Sequence, residues 1–305
     1  MRKQFAKTLL ELGQDERLIV LIGDISHFLL KDFAERYPQR FYNLGMAEQA
    51  MMSLAAGLAI NGLVPVVHSI APFITERCYE QIKDDLCYQN IGVNIVSVGS
   101  AFDYAALGCT HHCYDDLAIL RALPNMQIIY PAAPHEFDIL FRETYANGLP
   151  TYFRLPQKVH GLKTNPKFGE VEFLRKGKDI TIAVSGPQLK NVLAVAEDLA
   201  KEKIDCEVIY FTTIKPVSAD SQNLISQSLM KTKKFVSVEE HSVIGGLGDE
   251  VARIGGEIPF VHKRIGIGDK FLTNYGTYEE HCQANNLTKE GIIKTVYEIK
   301  SGNNF

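Results

Sequence analysis

The chain has 305 residues, of which 46% are hydrophobic and 22% charged, a composition typical of a soluble globular protein with room for two domains. Its net charge of −4 and pI near 6.2 argue against a nucleic acid or an anionic membrane as its main partner. The sequence shows no signal-peptide pattern and no apolar run of the ~20 residues that span a bilayer. Its six cysteines are scattered, so we expect a cytoplasmic protein.

The first half of the chain alternates between strand-like and helix-like patterns. An amphipathic pattern predicts a helix at the amino terminus, and further helices are predicted at 46–61, 79–88 and 135–147. Short apolar runs predict strands at 17–22, 63–67, 93–98 and 126–130, and another strand ends within 152–157. Fully apolar strands that alternate with helices indicate an open, mostly parallel sheet covered on both faces.

The second half repeats this alternation after a change in composition. A stretch rich in Gly, Pro and Lys predicts a linker at 161–175, which separates a first domain at 1–160 from a second at 176–305. Within the second domain, strands are predicted at 179–184, 206–211 and 234–238, and a helix at 188–203. The predicted fold class is therefore α/β, with two open, mostly parallel sheets.

Glu48 is the only charged residue of the predicted helix at 46–61, which otherwise consists mostly of Ala, Met and Leu. A helix that is apolar on every face is normally buried, and a buried carboxyl group is rare unless something pairs with it. Because desolvation disfavours the charged form, such a group suits proton exchange or a strong hydrogen bond with a ligand. The alternative is an ordinary first-turn Glu, half in water and favoured by the helix dipole.

Phe73 follows the predicted strand at 63–67. Ligands of open α/β sheets bind beyond the carboxyl ends of the strands, so this ring is placed to stack on a flat heterocycle. A Phe in the hydrophobic core is the alternative.

Four potential metal ligands lie within five residues: Cys109, His111, His112 and Cys113. Thiolate and imidazole are the usual ligands of zinc. Four ligands so close in sequence cannot easily surround one tetrahedral ion, however, and no second Cys/His cluster completes a site. We therefore predict no metal site in this chain, and expect the adjacent His side chains to donate hydrogen bonds to hydroxyl or carbonyl oxygens.

Arg154 lies where the last strand of the first domain ends. Its planar guanidinium group suits a phosphate or a carboxylate. The alternative is a surface ion pair.

Four runs of the first half together resemble the pyrimidine-binding half of transketolase: FYNLGMAEQAMMSLAAGLAINGLVPVV, PFITERCYEQIKDD, LGCTHHCYDDLAILRALPNMQIIYPA and PTYFRLPQ. Two runs of the second half resemble the carboxy-terminal domain of the same family: IAVSGPQLKNVLAVAEDL and FVSVEEHSVIGGLGDE. The resemblance covers almost the whole chain. It implies a pyrimidine-binding domain followed by a transketolase carboxy-terminal domain, as in the carboxy-terminal subunit of a split transketolase.

The resemblance also implies roles for residues near a thiamine diphosphate cofactor. Glu48 falls on the acidic residue that hydrogen-bonds the aminopyrimidine ring, and Phe73 falls on the aromatic residue that stacks on it. Asp24 matches an Asp near the cofactor and the dimer contact, and we also assign Arg77 to the cofactor site. In this assignment Glu48 and His111 are the catalytic residues.

Substrate-binding residues follow from the same resemblance. His111 falls on a His that contacts the donor sugar, Arg154 on an Arg that holds a substrate phosphate, and Arg2 on a second such Arg. The family's His near the start of this loop is absent, with 99–102 around its place, and we consider His68 as a substitute. The acidic pair before the family's Gly-Pro-Thr-His run is replaced by Ala106 and Leu107.

The sequence contains no Gly-Asp-Gly run followed by an Asn, the pattern that holds magnesium and diphosphate in this family. We therefore expect half an active site. The other half, with Mg²⁺, belongs to a separate amino-terminal subunit, and two such heterodimers form an α₂β₂ assembly. The implied reaction moves a two-carbon ketol unit between sugars or sugar phosphates. The alternatives are the beta subunit of a 2-oxoacid dehydrogenase, another thiamine diphosphate-dependent sugar enzyme such as a deoxyxylulose phosphate synthase, and a regulatory subunit without catalysis.

Overall fold

A computed structural model describes residues 1–302 and shows two open sheets, each flanked by helices. The α/β fold class predicted from the sequence is confirmed. The strands are β1 Leu18–Ile22, β2 Phe41–Asn43, β3 Val64–Ile70, β4 Asn94–Val98, β5 Gln127–Ile129, β6 Thr151–Leu155, β7 Val171–Arg175, β8 Ile180–Ser185, β9 Cys206–Phe211, β10 Thr213–Lys215, β11 Lys234–Ser242 and β12 Val261–Ile267.

The helices account for most of the remaining chain. They are α1 Arg2–Leu12, α2 Lys31–Arg36, α3 Glu48–Ile60, α4 Ala71–Ile74, α5 Tyr79–Gln81, α6 Asp116–Arg121, α7 Pro134–Thr144, α8 Leu189–Lys201, α9 Ala219–Thr232, α10 Leu247–Gly255, α11 Tyr278–Ala284 and α12 Lys289–Ser301. A π-helical segment, Ile82–Tyr88, continues α5, and 3₁₀ turns occupy Pro38–Arg40, Ala105–Thr110 and Gly186–Gln188. Along residues 1–302, no helix combines the length and the apolar character needed to cross a membrane.

The first sheet has the strand order β10-β5-β6-β4-β3-β1-β2. Its strands run parallel to one another except β10, which is antiparallel to β5. Every residue of β1, β4 and β6 is buried, because helices cover both faces of the sheet. The carboxyl ends of β1, β3, β4 and β6 therefore meet at one edge, which is where open α/β sheets place their ligands.

The second sheet has the order β12-β11-β8-β9-β7, parallel except for β7. The strand β7 lies within the stretch 161–175 that the sequence predicted to be a linker. Residues 156–170, between β6 and β7, form neither helix nor strand, so the observed connection begins and ends five residues earlier than the predicted one. The sequence did not predict β7 because the surrounding composition is rich in Gly and Lys. The strand is only half-buried at the edge of the sheet.

One of the hydrophobic clusters contains buried residues of both domains. The short strand β10 comes from the second half of the sequence but pairs with β5 in the first sheet. Beside it, Ile128 and Tyr130 of the first half belong to the same buried cluster as Phe211 and Ile214 of the second half. The sequence boundary at residue 176 thus separates the two sheets only approximately, because β10 follows this boundary in the sequence but belongs to the first sheet.

Candidate functional site

Glu48 is the first residue of α3 and only 1% of it is exposed. Its Oε1 accepts a hydrogen bond from Ser69 Oγ at 2.9 Å, and its Oε2 lies 2.8 Å from Arg77 Nη1. Ser69 belongs to β3 and Arg77 follows α4, so the carboxyl group is held where β3 leads into the next helix. The predicted buried carboxyl group is confirmed, and it has a cationic partner that the sequence did not reveal.

Gly23, which follows β1, packs closely against the same carboxyl group. A Cβ atom at Gly23 would lie 2.9 Å from Ser69 Oγ and 3.3 Å from Glu48 Oε1, so only glycine lets the strand approach this closely. The next residue, Asp24, is exposed with φ of +55°, and its Oδ1 accepts a hydrogen bond from Asn43 Nδ2 at 3.0 Å. Asp24 therefore ties the ends of β1 and β2 together beside the Glu48 pocket.

Three further predicted residues lie beside Glu48. The guanidinium carbon of Arg77 is 4.3 Å from the ring centroid of Phe73, and the Phe73 and His111 rings are 5.2 Å apart in an edge-to-face arrangement. The folded chain thus brings together Glu48, Phe73, Arg77 and His111, which are up to 63 positions apart in the printed sequence. Phe73 and His111 are half-buried, so each keeps a surface for a ligand.

His111 has one ring nitrogen committed to its own loop. Its Nδ1 lies 2.9 Å from Thr110 Oγ1. Donation by the Thr110 hydroxyl to Nδ1 leaves the imidazole proton on Nε2, which then faces a ligand as a hydrogen-bond donor. This geometry suits the predicted contact of His111 with a substrate oxygen.

The first domain thus places an acid, an aromatic ring and an imidazole at one sheet edge. Comparisons with known proteins show to which family the chain is similar. Residues 1–161 match the family "Transketolase, pyrimidine binding domain", and residues 169–292 match "Transketolase, C-terminal domain". The chain belongs to the transketolase family.

Family relatives match this chain over nearly their full length. One subunit of an apulose-4-phosphate transketolase from Phocaeicola vulgatus is 34% identical, over 98% of this chain and 96% of that protein. A 6-deoxy-6-sulfo-D-fructose transketolase subunit of a Clostridium species is 31% identical, over 100% and 96%. A solved structure described as a split gene transketolase, inactive beta4 tetramer, superposes with a TM-score of 0.85 at 31% identity, over 98% and 97% of the two chains. These matches confirm the predicted resemblance and place the chain among transketolase-type transferases.

The structure contradicts the assignment of Arg154 to a substrate phosphate. Its side chain is fully buried, and its Nε lies 2.8 Å from Asp116 Oδ2. Its Nη2 donates to the backbone carbonyl groups of Cys113 at 3.0 Å and Glu240 at 3.2 Å. Glu240 belongs to the second domain, so the guanidinium group joins the two domains and offers no surface to a ligand.

The structure also contradicts the use of His68 as a substrate-binding residue. Its ring is fully buried in the first domain, with Nδ1 2.7 Å from the carbonyl oxygen of Val96 and Nε2 2.9 Å from Ser26 Oγ. Burial lowers the pKa of His68 to about 4. Both ring nitrogens are used inside the protein, so His68 is a structural histidine. Arg2 lies half-buried at the start of α1.

The Cys and His residues at 109–113 do not converge on a metal. Cys113 and His112 are buried, whereas Cys109 is exposed. Residues 1–302 do bring Glu76, Cys113 and Asp115 together, with one ligand atom of each within 4.8 Å of the others. Burial, followed by the charge of Asp115, raises the pKa of Glu76 to about 8. This group contains a soft thiol, whereas Mg²⁺ takes oxygen ligands.

The composition of the helix that carries Glu48 predicted burial on every face. This prediction is wrong. Ala50, Leu54 and Gly57 of α3 are exposed, and the side chains of Met46 and Ile60 at its two ends are 86% and 63% exposed. Composition alone cannot distinguish a helix buried in its own domain from one whose second face is apolar and uncovered.

Proposed function

We propose that this chain is the subunit of a thiamine diphosphate-dependent transketolase that moves a two-carbon ketol unit from a ketose to an aldose. The single observation that carries the proposal is the buried Glu48 carboxyl group, which Arg77 joins to the half-buried ring of Phe73. A carboxyl group and an aromatic surface are the two features that an aminopyrimidine ring requires, one for its ring nitrogen and one for its π-face. The names of the relatives support the same reaction class.

Each residue of this pocket has a defined task in the proposed enzyme. When bound, thiamine diphosphate supplies the carbon nucleophile and the electron sink for ketol transfer. Ser69 and Arg77 fix the two oxygens of Glu48, so its carboxyl group would share one proton with a ring nitrogen of the aminopyrimidine in a set direction. Because Glu48 is buried, this hydrogen bond is stronger than it would be in solvent. His111 donates through Nε2 to an oxygen of the sugar.

The exposed face of α3 is proposed to bind a separate amino-terminal subunit. This face begins at the residue that holds the cofactor, so a partner seated on Ala50, Leu54 and Gly57 would close the pocket from the other side. We assign the diphosphate and Mg²⁺ to that partner, because the potential ligand group at Glu76 is unsuited to Mg²⁺. Assembly into α₂β₂ and a cytoplasmic location stay predictions.

Reconstitution with the partner subunit tests the proposal. The chain is mixed with the product of the neighbouring transketolase-type gene, thiamine diphosphate and Mg²⁺, and ketol transfer is measured over a panel of ketose donors and aldose acceptors. Glu48→Gln should lower kcat by about 10²-fold or more, the usual scale for losing a proton-transfer group, and leave thermal unfolding nearly unchanged. Glu16→Gln is the matched control, since Glu16 is exposed in the turn before the opposite end of β1. Near-wild-type turnover of Glu48→Gln at saturating cofactor would overturn the proposal.

A further inference from the structure

Three potential metal ligands lie together just outside the site of Glu48. One ligand atom from each of Glu76, Cys113 and Asp115 lies within 4.8 Å of the other two. Glu76 belongs to the segment after α4, whereas Cys113 and Asp115 belong to the segment that leads into α6. The three side chains therefore meet between two segments of the first domain, and none of them has a role in the function proposed above.

The thiol forms the buried side of this group. Cys113 is fully buried, and two backbone hydrogen bonds with Ala101, of 2.7 Å and 2.8 Å, fix its position. Its Sγ lies 3.7 Å from Thr75 Oγ1, a contact that is at most a weak hydrogen bond because a thiol is a poor donor and acceptor. A metal ion that binds such a thiol displaces its proton. Cys113 is thus a rigidly placed ligand for a cation.

The two carboxyl groups form the solvent side of the group, since Glu76 and Asp115 are both exposed. Asp115 occupies the N-cap position of α6, but its side chain makes no capping hydrogen bond. Asp is among the residues preferred at this position because its carboxylate normally accepts that bond. The carboxyl group of Asp115 lies instead within reach of Glu76 and Cys113, which suits a ligand better than a helix cap.

No basic side chain compensates the charge of this carboxyl pair. The ion pairs formed among residues 1–302 include neither Glu76 nor Asp115, and the neighbouring Arg77 pairs with Glu48 at 2.8 Å. Two carboxylates so close repel each other, so a proton or a cation must compensate them. A shared proton would leave the thiol without a task, whereas a metal ion uses all three groups.

The donor set favours zinc over magnesium and calcium. Thiolate is a soft ligand, which Zn²⁺ accepts together with carboxylate oxygen, whereas Mg²⁺ and Ca²⁺ take oxygen ligands. Bonds of about 2.0–2.3 Å to a tetrahedral Zn²⁺ place two ligand atoms about 3.5 Å apart. The limit of 4.8 Å found here exceeds this separation by only about 1.3 Å. Rotation of the two exposed carboxyl side chains closes such a gap.

We propose that Glu76, Cys113 and Asp115 bind one Zn²⁺, with a water molecule in the fourth position. This site goes beyond the proposed ketol transfer, because none of the three ligands contacts the proposed cofactor. It lies next to the functional site in the sequence, since Glu76 directly precedes Arg77 and Cys113 follows His111 by two positions. The bound ion ties together the two segments that carry Arg77 and His111.

Metal titration of the full-length chain tests this proposal. Co²⁺ is the probe, because it occupies zinc sites and gives a charge-transfer band in the near ultraviolet when a thiolate binds it. One equivalent of Co²⁺ should produce this band in the reduced, metal-free chain, and one equivalent of Zn²⁺ should remove it. Cys113→Ser should abolish the band. Glu76→Gln and Asp115→Asn should each weaken Zn²⁺ binding, measured by calorimetry, by about tenfold or more.

Cys109→Ser is the matched control, since Cys109 is an exposed thiol of the same segment outside the proposed site. This variant should keep both the band and the Zn²⁺ affinity of the wild type. Loss of the band in Cys109→Ser and its retention in Cys113→Ser would overturn the proposal. Absence of the band from the wild-type chain would also overturn it, and would leave a shared proton as the compensation of the two carboxyl groups.

The two carboxamide variants keep the test decisive if Cys113→Ser fails to fold, because they change only exposed groups. Zn²⁺ binding of wild-type strength in both Glu76→Gln and Asp115→Asn would refute the site, whatever the behaviour of the thiol. These measurements need neither a partner subunit nor turnover. Failure of ketol transfer in the reconstituted complex would therefore leave the zinc result unaffected, and absence of zinc binding would leave the proposed reaction unaffected.

Discussion

Each of the two sheets has buried glutamate at the edge formed by the carboxyl ends of its strands, but the two edges differ in the exposure of the neighbouring residues. At the first edge, Glu48 is buried but its neighbours Phe73 and Arg77 border solvent. At the second edge, Glu239 and Glu240 of β11 are fully buried.

At the second edge, groups of the same domain hydrogen-bond both acids, although Oε2 of Glu240 has no partner among residues 1–302. Glu239 accepts hydrogen bonds from the backbone N–H groups of Leu247 at 2.6 Å and Gly248 at 3.0 Å, at the start of α10. Glu240 accepts one from Gln188 Nε2 at 2.8 Å. Burial raises the pKa of Glu239 to about 7. The comparison teaches that burial of a carboxyl group at a strand end does not by itself mark a functional site.

The largest expected effect concerns Arg154, which lies at the first edge but bonds to the second domain. Arg154→Ala should lower the free energy of unfolding by about 3–5 kcal/mol, because it leaves the buried charge of Asp116 without its partner. Urea unfolding followed by circular dichroism measures the change. A variant of normal stability whose KM for sugar phosphates rises instead would restore Arg154 as a substrate ligand.

A smaller effect is expected at Glu239. Glu239→Ala removes two hydrogen bonds from the start of α10 and should cost about 2–3 kcal/mol of stability. The kcat of the reconstituted complex should stay within about twofold of wild type, the reverse of the pattern for Glu48→Gln. A tenfold loss of kcat at unchanged stability would show that the second edge also takes part in the reaction.

The smallest effect on folding is expected for substitutions of one exposed leucine in each domain. Leu54 of α3 is 44% exposed and Leu224 of α9 is 46% exposed. Leu54→Lys should lower the affinity for the amino-terminal subunit about tenfold or more, since it places a charge in an apolar interface. Leu224→Lys should leave this affinity unchanged, and each should alter unfolding by only about 0.5 kcal/mol. Analytical ultracentrifugation of the mixed subunits measures the affinity, and equal losses for both variants would remove α3 from the interface.

The sequence by itself determined the family, the alternation of strands and helices, and the buried carboxyl group of Glu48. These follow from local patterns: apolar runs fix buried strands, and the order of motifs is read directly along the chain. The family resemblance assigned Phe73, Arg77 and His111 to the same site as Glu48, and the strand-end rule also placed the loops of Phe73 and His111 at the ligand-binding edge. Ser69 could have been found by the same rule, since it lies near the end of β3.

Only the tertiary structure decided which candidates face solvent. Arg154 is covered by the carbonyl group of Glu240, 86 positions away, and the pairing of β10 with β5 also joins distant segments. Local pattern sets the shape of each element but not what covers it. For the same reason the composition of α3 indicated burial, whereas the fold leaves one of its faces exposed.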